Sequence, residues 1–520
     1  MSSLLELVVV LAICGVFFFY GIGSFGLVGA DEPRYAQIAR EMLARGDWVS
    51  PVLNGTAWLE KPVLYYWGAM VSYSVFGVSD WAARVPTAFM TTLMTMAVYG
   101  LMRRFRQGSQ VNTAIILASM AAIIGFARAA STDMPLTAMF TIAMLGWFAW
   151  YETRSSRFLS VFYFFLALAT LAKGPVAVFL AGAILLIFLA LRRDWKAVAK
   201  TLWVPGILLY LVVALPWFVL VQLANPQFFR VFILEHNLAR YSTEVYRHTQ
   251  PVWYFLPVLI LGLLPWLVFA GASFARAVRK GIRERSSFEL FFVIWAAFPV
   301  VFFSFSGSKL PGYILPAIPP FALLAGEYLW RKAVDTEDVP LWMKSLHALF
   351  ISVLLGAALL TNYFVLKMKP VSTALWIAII AGTVCFIAML TVSYLKGIKV
   401  LRVATLLPIV LALVFILKFA APSLDAMDSQ RPVDLAVKAT KAPVVAVYSA
   451  RREVEYGLNF YRNQPIPNYS RGEIPTEAHL VVTPAGYHDR LQLMVPGRSV
   501  TEAGGFPPQK LAFYMVGAKE

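Results

Sequence analysis

The feature that most constrains this chain is a series of apolar segments, many near 18 residues or longer, recurring along most of its length. A segment of that length crosses a bilayer only as a helix, because each backbone N–H and C=O must find its partner without water. The runs do not alternate apolar with polar residues, which excludes a spanning β-barrel. Composition agrees: 59% of residues are hydrophobic and 14% charged, whereas a soluble domain is nearer half apolar and a quarter charged. The chain therefore reads as a polytopic α-helical membrane protein.

The net charge of +17 would suggest nucleic acid in a soluble protein. Here the excess sits in short loops between apolar runs, where it records orientation, and no nucleic-acid partner is expected. Cys14 and Cys385 lie inside apolar segments without metal-ligand spacing and read as small packing residues. The first apolar segment, 4–25, lacks a basic leader and a small-residue cleavage site. It reads as a retained helix.

Spanning helices are expected near 5–28, 81–102, 111–128, 134–151, 158–172, 175–191, 202–222, 252–272, 288–305, 312–330, 345–365, 372–395 and 401–420. The loops between them then alternate. One set (103–106, 154–157, 192–200, 276–285, 331–344, 396–402) is short and rich in Lys and Arg, hence cytoplasmic. The other set includes 30–61, 129–133, 173–174, 223–251, 306–311 and 366–370. The alternation works only if the apolar run 62–76 lies in the interface and does not cross. The first part of 30–60 carries Tyr35, Ile38, Ala39, Met42 and Leu43 at helical spacing, as in an amphipathic interfacial helix. Gly46, Asp47, Pro51, Asn54 and Gly55 then mark turns. The result is about thirteen spanning helices from a cytoplasmic N-terminus, occupying residues 1–421. The first outer loop covers about 30–80.

Beyond residue 422 hydrophobic density falls. Strands at Val444–Tyr448, near Ile466–Tyr469, at Leu480–Thr483 and at Lys510–Val516 alternate with helices at Arg452–Arg462 and Tyr487–Met494. This predicts an α/β domain over 422–520 on the same side as loop 30–61, the periplasm if the cell is bacterial.

Polar residues gather on that outer side. Asp31, Glu32 and Arg34 follow the first helix, and Glu60 and Lys61 close the first loop. Arg128, Asp133 and Lys173 sit at later helix ends. Loop 223–251 carries Glu235, His236, Asn237 and Arg240, and 304–313 reads SFSGSKLPGY. A carboxylate can take a proton from an attacking hydroxyl, and cations can stabilise a departing phosphate. Each also has a plainer reading. Asp31 and Asp133 suit helix caps. Glu60 and Lys61 suit an exposed ion pair. Lys309 suits a snorkelling lysine and Tyr313 an aromatic belt.

Six motifs in order carry a resemblance: Asp31-Glu32-Pro33-Arg34-Tyr35-Ala36; Leu59-Glu60-Lys61-Pro62 with Tyr66-Trp67; Arg128 to Pro135; Lys173-Gly174-Pro175; Glu235-His236-Asn237 with Arg240; and Ser308-Lys309-Leu310-Pro311 with Tyr313. The chain resembles the GT-C superfamily of integral-membrane glycosyltransferases that use polyprenyl-phosphate sugars. It is most similar to the ArnT-like group, relatives of the protein O-mannosyltransferases. The resemblance implies an inner-membrane, multi-pass enzyme with a periplasmic site. Its implied partners are a polyprenyl-phosphate (undecaprenyl) sugar, membrane lipids and an acceptor such as lipid A or another glycolipid or glycan. A protein acceptor is the alternative within that chemistry, and a flippase without transfer is the alternative outside it. Asp31 is implied as catalytic and Asp133 as a second acidic site. Lys61, Arg240 and Tyr313 are implied as donor-phosphate ligands, with Lys309 as a further candidate. Glu60 and His236 are implied to lie near any divalent metal ion; no other cofactor is implied. Pro62-Val63 departs from the Pro-Pro that often follows the lysine.

Overall fold

The structure, a computed structural model, describes residues 3–232, 250–334, 339–366 and 371–519. Among the described residues eight helices are individually long and apolar enough to span a membrane, from Asp80–Phe105 to Leu406–Asp428. Two bent helix pairs and the shorter apolar helices Ser3–Phe19 and Val176–Arg192 join them. With Ile318–Val334, they fill the thirteen positions that hydropathy predicts. The Leu64–Phe76 helix has 13 residues, about 20 Å at 1.5 Å per residue, too short to cross. It packs sideways against its neighbours, donating from Tyr65 to Ala83 O and from Ser72 to Ala82 O.

Three spanning segments need correction. The first helix does not run to residue 28; it ends at Phe19. The chain beyond must pass close to the C-terminal part, and a Cβ on Gly26 would lie 2.2 Å from Ser429 Oγ and 2.4 Å from Tyr461 Oη. The segment 111–128 is two helices, Gln110–Ser119 and Ala121–Ala127, bent by 66°. The segment 252–272 is also broken: Val252–Gly262 and Leu267–Arg283 meet at 115°. The breaks support each other. Ala121 N donates to Leu264 O at 2.9 Å, and Trp266 Nε1 donates to Ser119 Oγ at 2.8 Å. His347 Nδ1 donates to the carbonyl of Pro265 at 3.0 Å. Backbone freed at membrane depth thereby keeps its partners, which is the condition for irregular chain there.

The Asp31–Arg45 helix is also not simply interfacial. Asp31 and Glu32 occupy its first turn, the end that favours negative charge. Gly46, at φ +64°, ends it, with Gly46 N donating to Leu43 O and Asp47 N to Met42 O. Most of its circumference is buried. One side faces the Leu64–Phe76 helix, where Tyr73 donates to Ala36 O; the other faces the C-terminal helix Arg452–Arg462, where Arg40 donates to Phe460 O at 2.7 Å.

The C-terminal part holds a four-stranded sheet in the order Val445–Val447, His479–Pro484, Leu511–Val516, Val500–Phe506. The first pair is parallel and the other two are antiparallel. Alternate residues of the central strand feed opposite faces: Leu480 and Val482 pack with Val454 and Leu458, Val481 with Leu491. The segment expected as a strand near 466–469 instead makes a single bridge, Asn468 to Val447, and turns into a 3-10 segment. The Val500–Phe506 strand is absent from the sequence-based expectation. Its Thr-Glu-Ala-Gly-Gly interior lacks the apolar alternation that marks a half-buried strand. Latches tie this part to the membrane part. Gly26 N donates to Asp425, Leu27 N to Tyr461 Oη, and Arg431 bonds both Asp425 and Asp80.

Candidate active site

The site is built around two adjacent acids at the start of the Asp31–Arg45 helix. Glu32 turns inward. Its carboxylate accepts from Arg84 Nη2 at 2.7 Å and Nε at 3.0 Å, from Ala130 N at 2.6 Å and from Val28 N at 2.9 Å. Arg84 spends its remaining donors on the carbonyls of Ile22, Phe25 and Gly26. All five guanidinium N–H groups are thus filled by protein. Arg128 works similarly nearby, donating to the carbonyls of Phe17, Tyr20 and Gly21 and closing the end of the first helix. Sequence reasoning placed Glu32 and Arg128 on this face but missed their structural role and missed Arg84 altogether. The signal is the arginine itself, in the apolar stretch that follows the 62–76 run.

Asp31 turns outward, with 59% of its side chain exposed. It accepts from Arg34 Nη2 at 2.5 Å. The Arg34 guanidinium lies over three rings: Trp58 at 4.9 Å, Tyr35 at 5.1 Å and Tyr456 of the C-terminal helix at 5.5 Å. Burial disfavours its charge, but Tyr35, Asp31 and Glu60 outweigh that and hold its pKa above the ordinary value. Glu60 therefore joins this cluster electrostatically. Burial pushes the Tyr35 and Tyr66 phenols well above their usual range, with Asp31 adding to both, so both remain hydrogen-bond donors. Three buried atoms here have no hydrogen-bond partner among the described residues: Arg34 Nε, Trp58 Nε1 and Tyr66 Oη. Buried donors left unfilled cost free energy, and three around one pair of carboxylates suit a ligand rich in acceptor oxygens.

The loop to Glu60 is set by a tight hairpin, Val52–Leu53 with Thr56–Ala57. Asn54 and Gly55 turn it with φ of +54° and +75°, the Asn-Gly turn the sequence signals. Glu41 accepts from both turn amides. Glu60 and Lys61 follow immediately, half-buried.

A second cluster borders Tyr35 through Asp133, whose charge also raises the Tyr35 pKa. Asp133 opens the Asp133–Thr153 helix and is ion-paired with Lys173. The Lys173 ammonium lies 5.1 Å from the Tyr313 ring centroid. Gly312 lets this happen, because a Cβ there would stand 2.6 Å from Asp133 Cγ. Asp133, Lys173 and Tyr313 thus come together, and Lys173 joins the expected set. Lys309 stands apart: it is buried and donates to Ser306 O at 2.7 Å and Gln250 O at 2.9 Å. His236 and Arg240 lie outside the described residues. Among the described residues no three of His, Cys, Asp and Glu form a metal-sized group.

The chain has known counterparts in sequence and fold. The sequence model of the dolichyl-phosphate-mannose-protein mannosyltransferase family matches residues 3–232. The undecaprenyl phosphate-alpha-4-amino-4-deoxy-L-arabinose arabinosyl transferase of Pseudomonas aeruginosa UCBPP-PA14 is 31% identical over 366 residues, 69% of this chain and 65% of that protein. Its Yersinia pestis Pestoides F namesake is 35% identical over 307 residues, 57% of this chain and 54% of that protein. The chain thus spans less than two thirds of these relatives' length. The crystal structure of ArnT from Cupriavidus metallidurans bound to undecaprenyl phosphate matches with a TM-score of 0.79 at 24% identity, covering 99% of this chain and 98% of that one. The archaeal oligosaccharyltransferase AglB from Archaeoglobus fulgidus matches with a TM-score of 0.55 at 13% identity, covering 94% and 70%. Over residues 3–232 the chain resembles that mannosyltransferase family, over 69% of its length it resembles the aminoarabinose transferases, and its fold is that of the ArnT crystal structure.

Proposed function

We propose that this chain is a membrane glycosyltransferase that moves a sugar from a polyprenyl phosphate to a hydroxyl acceptor. The observation that carries the reading is the group of three unfilled buried donors beside Asp31 and Glu60. Arg34 Nε, Trp58 Nε1 and Tyr66 Oη suit the oxygens of a phosphate-linked sugar. In the proposed step the acceptor oxygen attacks the anomeric carbon while the bond from that carbon to the phosphate oxygen breaks. The acceptor proton passes to Asp31, and the electron pair leaves with the polyprenyl phosphate. Arg34 fixes the Asp31 carboxylate through their hydrogen bond. Lys61, with Arg240 and Tyr313, neutralises the departing phosphate. Asp133, oriented by Lys173, positions the acceptor. Lys309 serves this site by holding loop carbonyls in place. Glu60 and His236 are the residues that would ligate a divalent ion if one takes part.

The arabinosyl transferase relatives from Pseudomonas aeruginosa and Yersinia pestis are bacterial, and the basic loops favour an inner-membrane orientation with the site on the periplasmic side. The names of the relatives favour a pentose, 4-amino-4-deoxy-L-arabinose, carried on undecaprenyl phosphate, and a lipid acceptor is proposed with it. The match to a protein mannosyltransferase family favours testing a protein acceptor beside it. The test is reconstituted protein given undecaprenyl-phosphate aminoarabinose or a hexosyl polyprenyl phosphate, with lipid A or periplasmic protein. Transfer that needs Asp31 supports the reading. A donor that is translocated but never cleaved overturns it in favour of a flippase.

A further inference from the structure

At the other end of the Asp133–Thr153 helix, 21 residues and about 30 Å from Asp133, the surface opens into a cavity of about 600 Å³. Trp150, Arg154, Ser156, Leu159, Lys200 and Trp203 line it. It therefore lies at the membrane face opposite the Asp31 site, and its function does not depend on the transfer chemistry. Arg154 is held in place. It caps its helix at φ +57°, a conformation uncommon outside glycine. Its guanidinium bonds Asp194 at 3.0 Å and stacks on Tyr151 at 4.6 Å and Trp150 at 5.2 Å. Asp194 is the sole acid in the segment 192–200, which also holds Arg192, Arg193, Lys196 and Lys200. Lys200 has no hydrogen-bond or ion-pair partner among the described residues, so the lining is left with uncompensated positive charge.

The cavity continues into an apolar track. Val204, Leu208 and Val212 are all exposed and four residues apart, so they form one stripe on the Val204–Ala224 helix leading toward the bilayer centre. Cations, two tryptophans at the level of the membrane surface and an apolar stripe below them match one ligand shape. We propose that this cavity binds an anionic glycerophospholipid of the leaflet opposite the Asp31 site. The phosphate sits between Arg154 and Lys200, and an acyl chain lies along Val204, Leu208 and Val212.

The test is native mass spectrometry of delipidated full-length protein titrated with dioleoyl phosphatidylglycerol or dioleoyl phosphatidylcholine. Wild type is expected to retain one phosphatidylglycerol at least about tenfold more tightly than phosphatidylcholine. Lys200→Gln, which has no ion pair to lose, is expected to weaken that binding about fivefold. Arg154→Gln combined with Lys200→Gln is expected to abolish the preference. The exposed pair Lys396→Gln/Lys399→Gln is expected to leave it unchanged. Equal binding of the two lipids by wild type, or wild-type binding by the Lys200→Gln variant, overturns the proposal. Undecaprenyl phosphate displacing phosphatidylglycerol from wild type at equal concentration overturns the choice of a glycerophospholipid.

Discussion

Asp31 and Glu32 are neighbours in sequence and opposites in use. Glu32 has four protein hydrogen bonds, and its partner Arg84 is 1% exposed with every donor filled. Among the described residues Asp31 has one such partner, and that partner, Arg34, still has an unfilled Nε. A charge whose bonding capacity is spent on backbone holds the fold. A charge whose capacity is left over can meet a substrate. The same distinction separates Lys309, engaged by two carbonyls, from the cation-rich phosphate set it was expected to join.

The comparison can be broken by experiment. The largest effect is expected for Arg84→Met, which strands the buried Glu32 carboxylate and three carbonyls. A loss of about 3–5 kcal/mol should appear as collapse of the thermal transition in detergent. A stable variant would show that the Glu32 junction is dispensable. Asp31→Asn should do the reverse: thermal stability within about 0.5 kcal/mol of wild type and transfer reduced roughly 10²–10⁴-fold. Gly312→Ala pushes a methyl into Asp133 and should weaken its pairing with Lys173, lowering kcat about tenfold, near 1.4 kcal/mol. Tyr456→Ala removes one of three rings on Arg34 and should cost about 0.5–1 kcal/mol in transition-state stabilisation, measured as kcat/KM, while Tyr456→Phe stays near wild type. The smallest change is expected for Arg45→Ala, which removes an exposed pair with Asp47 and should alter stability by less than about 1 kcal/mol.

Much of this was legible in the residues. Hydropathy located the helices, and loop charge singled out 62–76 as the apolar run that does not cross. Asn54-Gly55 announced its hairpin. The ordered motifs brought attention to Asp31, Glu60, Asp133 and Tyr313, which the structure sets around Tyr35, Arg34 and Lys173. What stayed hidden depends on distant partners. Nothing local tells Glu32 from Asp31; Arg84, 52 residues away, makes the difference. The helix breaks at Met120 and Leu264 are stable because each supplies a bond to the other, a fact no single window contains. Tyr456 reaches Arg34 only because the C-terminal helix folds back on the Asp31–Arg45 helix.

That folding back also bears on timing. The amides of Gly26 and Leu27 are satisfied by Asp425 and Tyr461, separated from them by 399 and 434 positions. A partly synthesised chain already carries Asp31 but not the wall that Tyr456 and Phe460 build beside it. The helix that carries Asp31 is therefore braced on both sides only once the chain past Tyr461 has been made, so Asp31 acquires its full surroundings late and from a distance.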